Sequence, residues 1–317
     1  MTIVTRRKFL QYCGSLAAIL GLGPSAIPAI CQAIDQMAKG RAPLLWLQGQ
    51  SCSGCSISLL NSTEPGPAQI LTSSISLIFH PNLSAATGHT CLDLINSTVD
   101  KGGYILVIEG SIPTRIPHAC MVGEEPIDKM VIRAAQKAKA VIALGTCASF
   151  GGIPAAENNV TGAMGVPEFL KLNRIGTPVI SLPGCPAHPD WLVGTLVYVL
   201  KFGLPNLDKF GRPTMFFAKV LHDQCPRFAD YEREKFAKTL DEDGCLFRLG
   251  CMGPKTYADC SLRLWNSRTS FCIKAGAPCI GCTMPEFAAK ASFPFYRKRE
   301  LLPLPDRQPA QPAEVRP

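Results

Sequence analysis

Leu44-Leu45-Trp46-Leu47, followed directly by Gln48-Gly49-Gln50-Ser51-Cys52-Ser53-Gly54-Cys55, is the stretch from which the fold is read. Four consecutive apolar residues are too short a run for a helix and read as a buried strand; the glycine and serine positions after them read as a turn, and 56–60 as a short helix. Comparable runs recur at Ile75-Ser76-Leu77-Ile78-Phe79, Tyr104-Ile105-Leu106-Val107-Ile108, Ala140-Val141-Ile142-Ala143-Leu144 and Val179-Ile180-Ser181-Leu182. Helical patterns lie between them, notably over 127–137 and 191–201. Buried, β-branched runs alternating with helices predict an α/β fold with an open, doubly wound parallel sheet, spanning 42–205. Such sheets carry their functional loops at the carboxyl ends of the strands.

Outward from this core the chain changes character. From 211 to 296 the apolar runs shorten, Gly and Pro punctuate, and cysteines crowd in, which predicts a smaller, irregular second domain organised around metal. Residues 297–317, rich in Pro, Arg and Gln, read as a disordered tail. At the other end, Arg6-Arg7-Lys8-Phe9-Leu10 opens a stretch that carries no charge from residue 9 to 34. Gly14, Gly21, Gly23, Pro24 and Pro28 interrupt it, so it suits an export signal better than a membrane-spanning helix. An Arg-Arg pair before Phe-Leu looks like a twin-arginine signal, which exports proteins already folded around a cofactor, so 1–35 is assigned to it. Ala26, Ala29 and Ala33 offer cleavage positions. No second apolar span occurs, so the mature protein is expected to lack a membrane anchor of its own.

The 317 residues are 47% hydrophobic and 18% charged, as in an ordinary globule, and the net charge of +8 is scattered. Without a basic run interleaved with aromatics, nucleic acid is not an expected partner. The unusual figure is 15 cysteines, an odd number in a chain too long to need disulfide staples. Cys52 and Cys55 follow the first strand, Cys147 the fourth and Cys185 the fifth, so all four should meet at one edge of the sheet. Four thiolates on rigid strand ends suit a [4Fe–4S] cluster, and flanking glycines let backbone N–H groups reach the sulfurs. The second domain offers His222, Cys225, Cys245 and Cys251, and then Cys260, Cys272, Cys279 and Cys282. Structural zinc is the main rival for these C-terminal sets; the even division into tetrads favours iron–sulfur clusters. Cys13, Cys31, Cys91 and Cys120 are left over, the first two expected to leave with the signal. His80, His89, His118 and His188 read as structural histidines.

Trp46-Leu47-Gln48-Gly49-Gln50-Ser51-Cys52-Ser53-Gly54-Cys55-Ser56 closely resembles the opening motif of hydrogenase small subunits. Phe79-His80-Pro81, Glu109-Gly110-Ser111-Ile112-Pro113, Gly145-Thr146-Cys147-Ala148, Pro183-Gly184-Cys185-Pro186, Asp259-Cys260 and Trp265-Asn266 follow in that family's order. The resemblance implies a flavodoxin-like first domain. It implies a proximal cluster on Cys52, Cys55, Cys147 and Cys185, a distal one on His222, Cys225, Cys245 and Cys251, and a medial one on Cys260, Cys279 and Cys282. Many relatives have proline where this chain has Cys272; a fourth cysteine there looks like the [NiFeSe] branch, with a medial [4Fe–4S] in place of [3Fe–4S]. Oxygen-tolerant relatives carry extra cysteines at positions that correspond to Gly54 and Gly152, so an ordinary proximal cubane is expected.

The function thus implied is electron relay from a hydrogen-activating site on a large subunit, of a kind that can carry selenocysteine, to a periplasmic carrier such as a cytochrome c. No residue of this chain is expected to break the H–H bond. Two rivals are a cluster subunit of a respiratory complex and a zinc-stabilised exported binding protein.

Overall fold

The computed structural model describes residues 6–38, 43–62, 66–67 and 76–288. Its centre is a five-stranded, wholly parallel sheet of β1 (Pro43–Gln48), β2 (Ser76–Phe79), β3 (Ile105–Glu109), β4 (Ala140–Leu144) and β5 (Val179–Leu182). The spatial order is β2-β1-β3-β4-β5, that of a flavodoxin-like doubly wound fold. Trp46 lies opposite Val107, Val107 opposite Ile142, and Ile142 opposite Ile180.

Side chains alternate along each strand between two apolar layers, which is why these strands read as unbroken apolar runs. Leu45, Leu47, Leu106, Ile108 and Val141 face one layer; Leu44, Trp46, Val107, Ile142 and Ile180 face the other. Helices in chain order are α1 (Arg6–Ile19), α2 (Ile27–Ala38), α3 (Gly54–Leu60), α4 (Gly88–Lys101), α5 (Ile127–Lys137), α6 (Gly145–Phe150), α7 (Val166–Leu172) and α8 (Pro189–Phe202). α4, α5 and α7 cover the Leu45 side through Ile95, Val99, Met130, Val131 and Phe169, while α8 covers the Trp46 side through Trp191, Leu192 and Leu196.

Beyond the sheet, residues 204–288 form turns and short helices at Thr214–Phe217, Phe228–Glu232 and Cys260–Arg263. Their own apolar core is small, built from Leu221, Ala237, Leu246, Phe271 and Ile273 together with Cys251 and Cys279. Polar latches hold this region to the sheet domain. Trp191 Nε1 donates to Asp259 Oδ1 at 2.8 Å. His188 accepts the Asp190 N–H at Nδ1, so its proton sits on Nε2 and points at the Leu264 carbonyl, 2.7 Å away. The 208–212 turn is tied to β5 by Ser181 N–H donating to the Gly211 carbonyl at 2.8 Å, and from it Arg212, 2% exposed and paired with Asp208 at 2.7 Å, donates to the Thr283 carbonyl at 3.1 Å.

Several details depart from the sequence reading. The third strand begins at Ile105 and ends on Glu109, one residue later than expected, because Tyr104 is the residue that turns in from Gly102 and Gly103, both at positive φ. Ile75 lies outside the described residues, as does 297–317. A helix over 88–101 is not evident from the sequence; its buried stripe consists only of Ile95, Thr98 and Val99. The N-terminal stretch folds as a two-helix hairpin: Gly14 sits inside α1, and the break falls at Gly21, Gly23 and Pro24. Leu16, Ile30, Ala33 and Ile34 of the hairpin are buried in the same apolar layer as α8. Cys13 and Cys31 are joined as a disulfide, a pairing that the sequence reading does not foresee. Among the described residues no helix is long and apolar enough to cross a membrane.

Candidate iron–sulfur sites

The carboxyl ends of β1, β3, β4 and β5 converge on one edge of the sheet, and the first cysteine set gathers there. Cys52 and Cys55 flank the entry to α3, Cys147 lies in α6 just past β4, and Cys185 follows β5. The four are mutual electrostatic neighbours: Cys55 feels Cys147 and Cys185, and both Cys147 and Cys185 feel Cys52. Burial raises the Cys55 thiol well above its ordinary range, with Glu109 next in effect, and pushes Cys185 up to about 11. Two glycines are required by close approach. Gly145 has φ +84° and a Cβ there would stand 2.6 Å from Cys55 Sγ; Gly152 has φ +56° and its Cβ would stand 2.8 Å from Cys147 Sγ. Gly54 likewise abuts sulfur, with Cys52 Sγ 3.1 Å from a Cβ built at that position.

Behind this set lies a buried carboxylate to which the sequence reading, quoting it only within the Glu109–Pro113 motif, gives no role. Glu109, 2% exposed, ends β3 and accepts from Cys55 N at 3.0 Å, Ser56 Oγ at 2.5 Å, Gln48 Nε2 at 3.0 Å and Trp46 Nε1 at 3.3 Å. His80 closes the network. Its Nδ1 accepts the Asn82 N–H, so Nε2 carries the proton toward Ser56 Oγ at 3.1 Å, and Ser56 in turn donates to Glu109. Burial holds His80 neutral, its pKa lowered to about 4 against a weaker opposing pull from Glu109. The available signal is a glutamate closing an apolar parallel strand, where charge has no place without partners.

The other two sets form in residues 222–282. Cys245 neighbours Cys251 and Cys225. His222 sits among the rings of Phe228 and Tyr231, centroids 5.2 and 4.5 Å away. Burial lowers its pKa, keeping the imidazole neutral, and its Nε2 is buried without a hydrogen-bond partner, as an imidazole awaiting a metal should be. Cys260 neighbours Cys282, Cys279 and Cys272. Cys272 is more exposed than its companions and also lies near Cys251. A cleft of about 780 Å³, largely apolar, opens onto Cys185, Cys260, Cys272, Cys279 and Cys282.

The chemistry of these donors fits iron–sulfur clusters. Backbone N–H groups two residues on point at sulfur in four cases: Arg227 to Cys225 at 3.4 Å, Gly253 to Cys251 at 3.4 Å, Phe247 to Cys245 and Gly281 to Cys279. Ala187 N–H reaches Cys55 Sγ at 3.5 Å. Such donors stabilise charge on cluster sulfur and set its potential. Among the described residues no three His, Cys, Asp or Glu groups close on a point that would hold one metal ion. Cys91 and Cys120 stand apart, packed at the margin of the Leu45 layer.

Comparison with known proteins gives a consistent picture. Residues 52–199 match the family model described as NADH ubiquinone oxidoreductase, 20 Kd subunit. Residues 217–296 match the model for the C-terminal part of the NiFe/NiFeSe hydrogenase small subunit. The periplasmic [NiFeSe] hydrogenase small subunit of Desulfomicrobium baculatum is 41% identical, over 92% of this chain and 98% of its own. The uptake hydrogenase small subunit of Azotobacter vinelandii is 40% identical, over 95% and 84%. The crystal structure of a reduced, active form of the Ni-Fe-Se hydrogenase from Desulfomicrobium baculatum superposes with a TM-score of 0.77 at 43% identity, covering 80% of this chain and 98% of that one.

Proposed function

Because this chain belongs to the NiFe/NiFeSe hydrogenase small-subunit family, whose active site is on a separate large subunit, we propose that it relays electrons between that site and an external carrier by means of three iron–sulfur clusters. A bound [4Fe–4S] cluster supplies one-electron oxidation and reduction at nearly fixed geometry. Cys52, Cys55, Cys147 and Cys185 hold the proximal cluster, Cys260, Cys272, Cys279 and Cys282 the medial one, and His222, Cys225, Cys245 and Cys251 the distal one. What supports this reading is that cysteines scattered from residue 52 to residue 282 lie near one another, with N–H donors aimed at their sulfurs and His222 Nε2 left unpartnered.

The chain's own residues do the rest of the work. Buried thiols favour the protonated form, so loading must expel protons and fixes the thiolates in place. Glu109 anchors the Cys55 amide, which orients that ligand without touching the sulfur. Ile57 and Leu60, exposed on α3 beside Cys55, form with it the face that meets the large subunit. His222, only partly exposed, stands at the exit toward a periplasmic cytochrome c-type carrier. The match over 52–199 by itself would suit a respiratory-complex subunit; the match over 217–296 favours the hydrogenase.

Residues 1–35 act as a twin-arginine signal that sends the folded chain to the periplasm. About a fifth of this chain has no counterpart in the solved relative, which is itself covered over 98% of its length. The N-terminal hairpin and the residues after 288 together are of that size.

Iron and acid-labile sulfide analysis of the purified heterodimer tests the assignment. Three cubanes require about twelve irons, and a three-iron medial cluster about eleven. The expected result is the higher value, without a three-iron electron paramagnetic resonance signal in the intact oxidised protein. Zinc in these sites, or iron for fewer than three clusters, would overturn the reading.

A further inference from the structure

The three cysteine sets are stitched together by peptide groups. The backbone N–H of Cys185, in the first set, lies against the sulfur of Cys282 in the Cys260 set, the two stretches of chain being held together there by Thr146. The backbone N–H of Cys279, in that same set, donates to Cys251 Sγ in the His222 set at 3.3 Å. At each junction, therefore, a ligand of one site offers its amide to a ligand sulfur of the next. The second contact is braced by Met252 N–H to the Cys279 carbonyl at 2.7 Å, with the Thr256 hydroxyl donating to the Met252 carbonyl at 2.7 Å and accepting from Cys279 Sγ at 3.6 Å. The first is braced by a side chain. Thr146, 1% exposed in the first turn of α6, accepts the Gly184 N–H on its hydroxyl at 2.8 Å and donates its own O–H to the Cys282 carbonyl. Its backbone N–H also grips the Gly184 carbonyl at 3.0 Å.

We propose that Thr146 is a positioning residue for electron transfer: its hydroxyl clamps Cys282 against Gly184-Cys185, and the Cys185 amide contact that results couples the proximal and medial sites. This rests on the assignment of those sites to clusters. One electron leaves the proximal site and one arrives at the medial site; the amide keeps its hydrogen, and no proton or bond is exchanged. The clamp acts in two ways. It keeps a route of a few covalent bonds and one hydrogen bond between the two ligand sulfurs. It also holds an N–H on Cys282, which favours the more negatively charged, reduced medial cluster and so raises its potential. A hydroxyl that merely satisfied two buried backbone groups would influence stability and leave both of these properties alone.

The test compares the purified heterodimer with Thr146→Val, which keeps the branched shape and loses the hydroxyl, and Thr146→Ser, which keeps the hydroxyl. Each is assayed for iron, for medial potential by redox titration, and for spin–spin splitting between the reduced proximal and medial clusters. Thr146→Val is expected to retain its iron, to show a lower medial potential and to lose splitting; Thr146→Ser should match the parent in all three. Should Thr146→Val fail to assemble, Thr146→Ala carries the same readouts. Unchanged potential and splitting in a fully loaded Val or Ala variant would overturn the proposal, and so would loss of the medial iron alone in both, which would make Thr146 a structural residue only. A parent protein without three clusters would instead overturn the cluster assignment itself.

Discussion

At Glu109 a single-atom change separates charge from shape. Glutamine fills the same space but turns an NH₂ toward a ring of donors, so at least one of Trp46, Gln48, Ser56 or the Cys55 amide loses its acceptor. Glu109→Gln should cost about 1–3 kcal/mol, the usual penalty for a buried group left unsatisfied. Chemical denaturation of the loaded protein at pH 7 reads this, and an unmoved midpoint would contradict the network's importance. His80 makes a pH prediction from the same network. Its folded pKa is lowered to about 4 from 6.5, so the unfolded chain takes up a proton that the native chain refuses. The stability it contributes is whole above about pH 6.5 and drains away as pH falls toward 4, by about 3 kcal/mol in all. Comparing the parent with His80→Gln at pH 7, 5.5 and 4.5 isolates this effect, since the difference between them should shrink as the medium becomes acidic.

Among elements, the segment carrying Arg212, held to β5 through Ser181 N–H and the Gly211 carbonyl, is one latch between sheet and cysteine-rich region. Its guanidinium is buried, paired with Asp208 and donated to the Thr283 carbonyl, one residue past Cys282. Arg212→Met would leave Asp208 with only the Phe210 and Arg212 backbone N–H groups and the Thr283 carbonyl without its buried donor, a loss of about 1–3 kcal/mol. Limited proteolysis should then release fragments cut within 213–288 while the sheet survives; resistance equal to that of the parent would argue against the latch. The five strands are legible in the sequence because parallel strands buried on both faces must be apolar throughout. α4 is not, because its buried stripe of Ile95, Thr98 and Val99 is thin against a polar sequence. The hairpin of α1 and α2 reads only as an export segment, since an uncharged run fits that role and a buried helix pair equally well. The proposed cysteine sets rest on residue type and order, since metal chemistry asks for particular donors. The Thr146–Cys282 clamp spans 136 residues and leaves no local trace.

For the whole molecule, the two regions differ in what holds them. The sheet has two extensive apolar layers, whereas residues 213–288 rely on a handful of buried side chains and on their donors. Removing iron with a chelator under reducing conditions should therefore unfold the second region first. Circular dichroism and hydrogen exchange would show protection lost at Leu246 and Ile273 while Val107 and Ile142 stay protected; simultaneous loss in both would refute the division. The Cys13–Cys31 bond sets one further condition on maturation. A peptidase that cut after Ala26 or Ala29 would sever the backbone between the bonded pair, and the freed helix would stay tethered through sulfur. Only a cut beyond residue 31, as after Ala33, discards both partners at once, so intact mass measured with and without reductant would reveal which bond was hydrolysed.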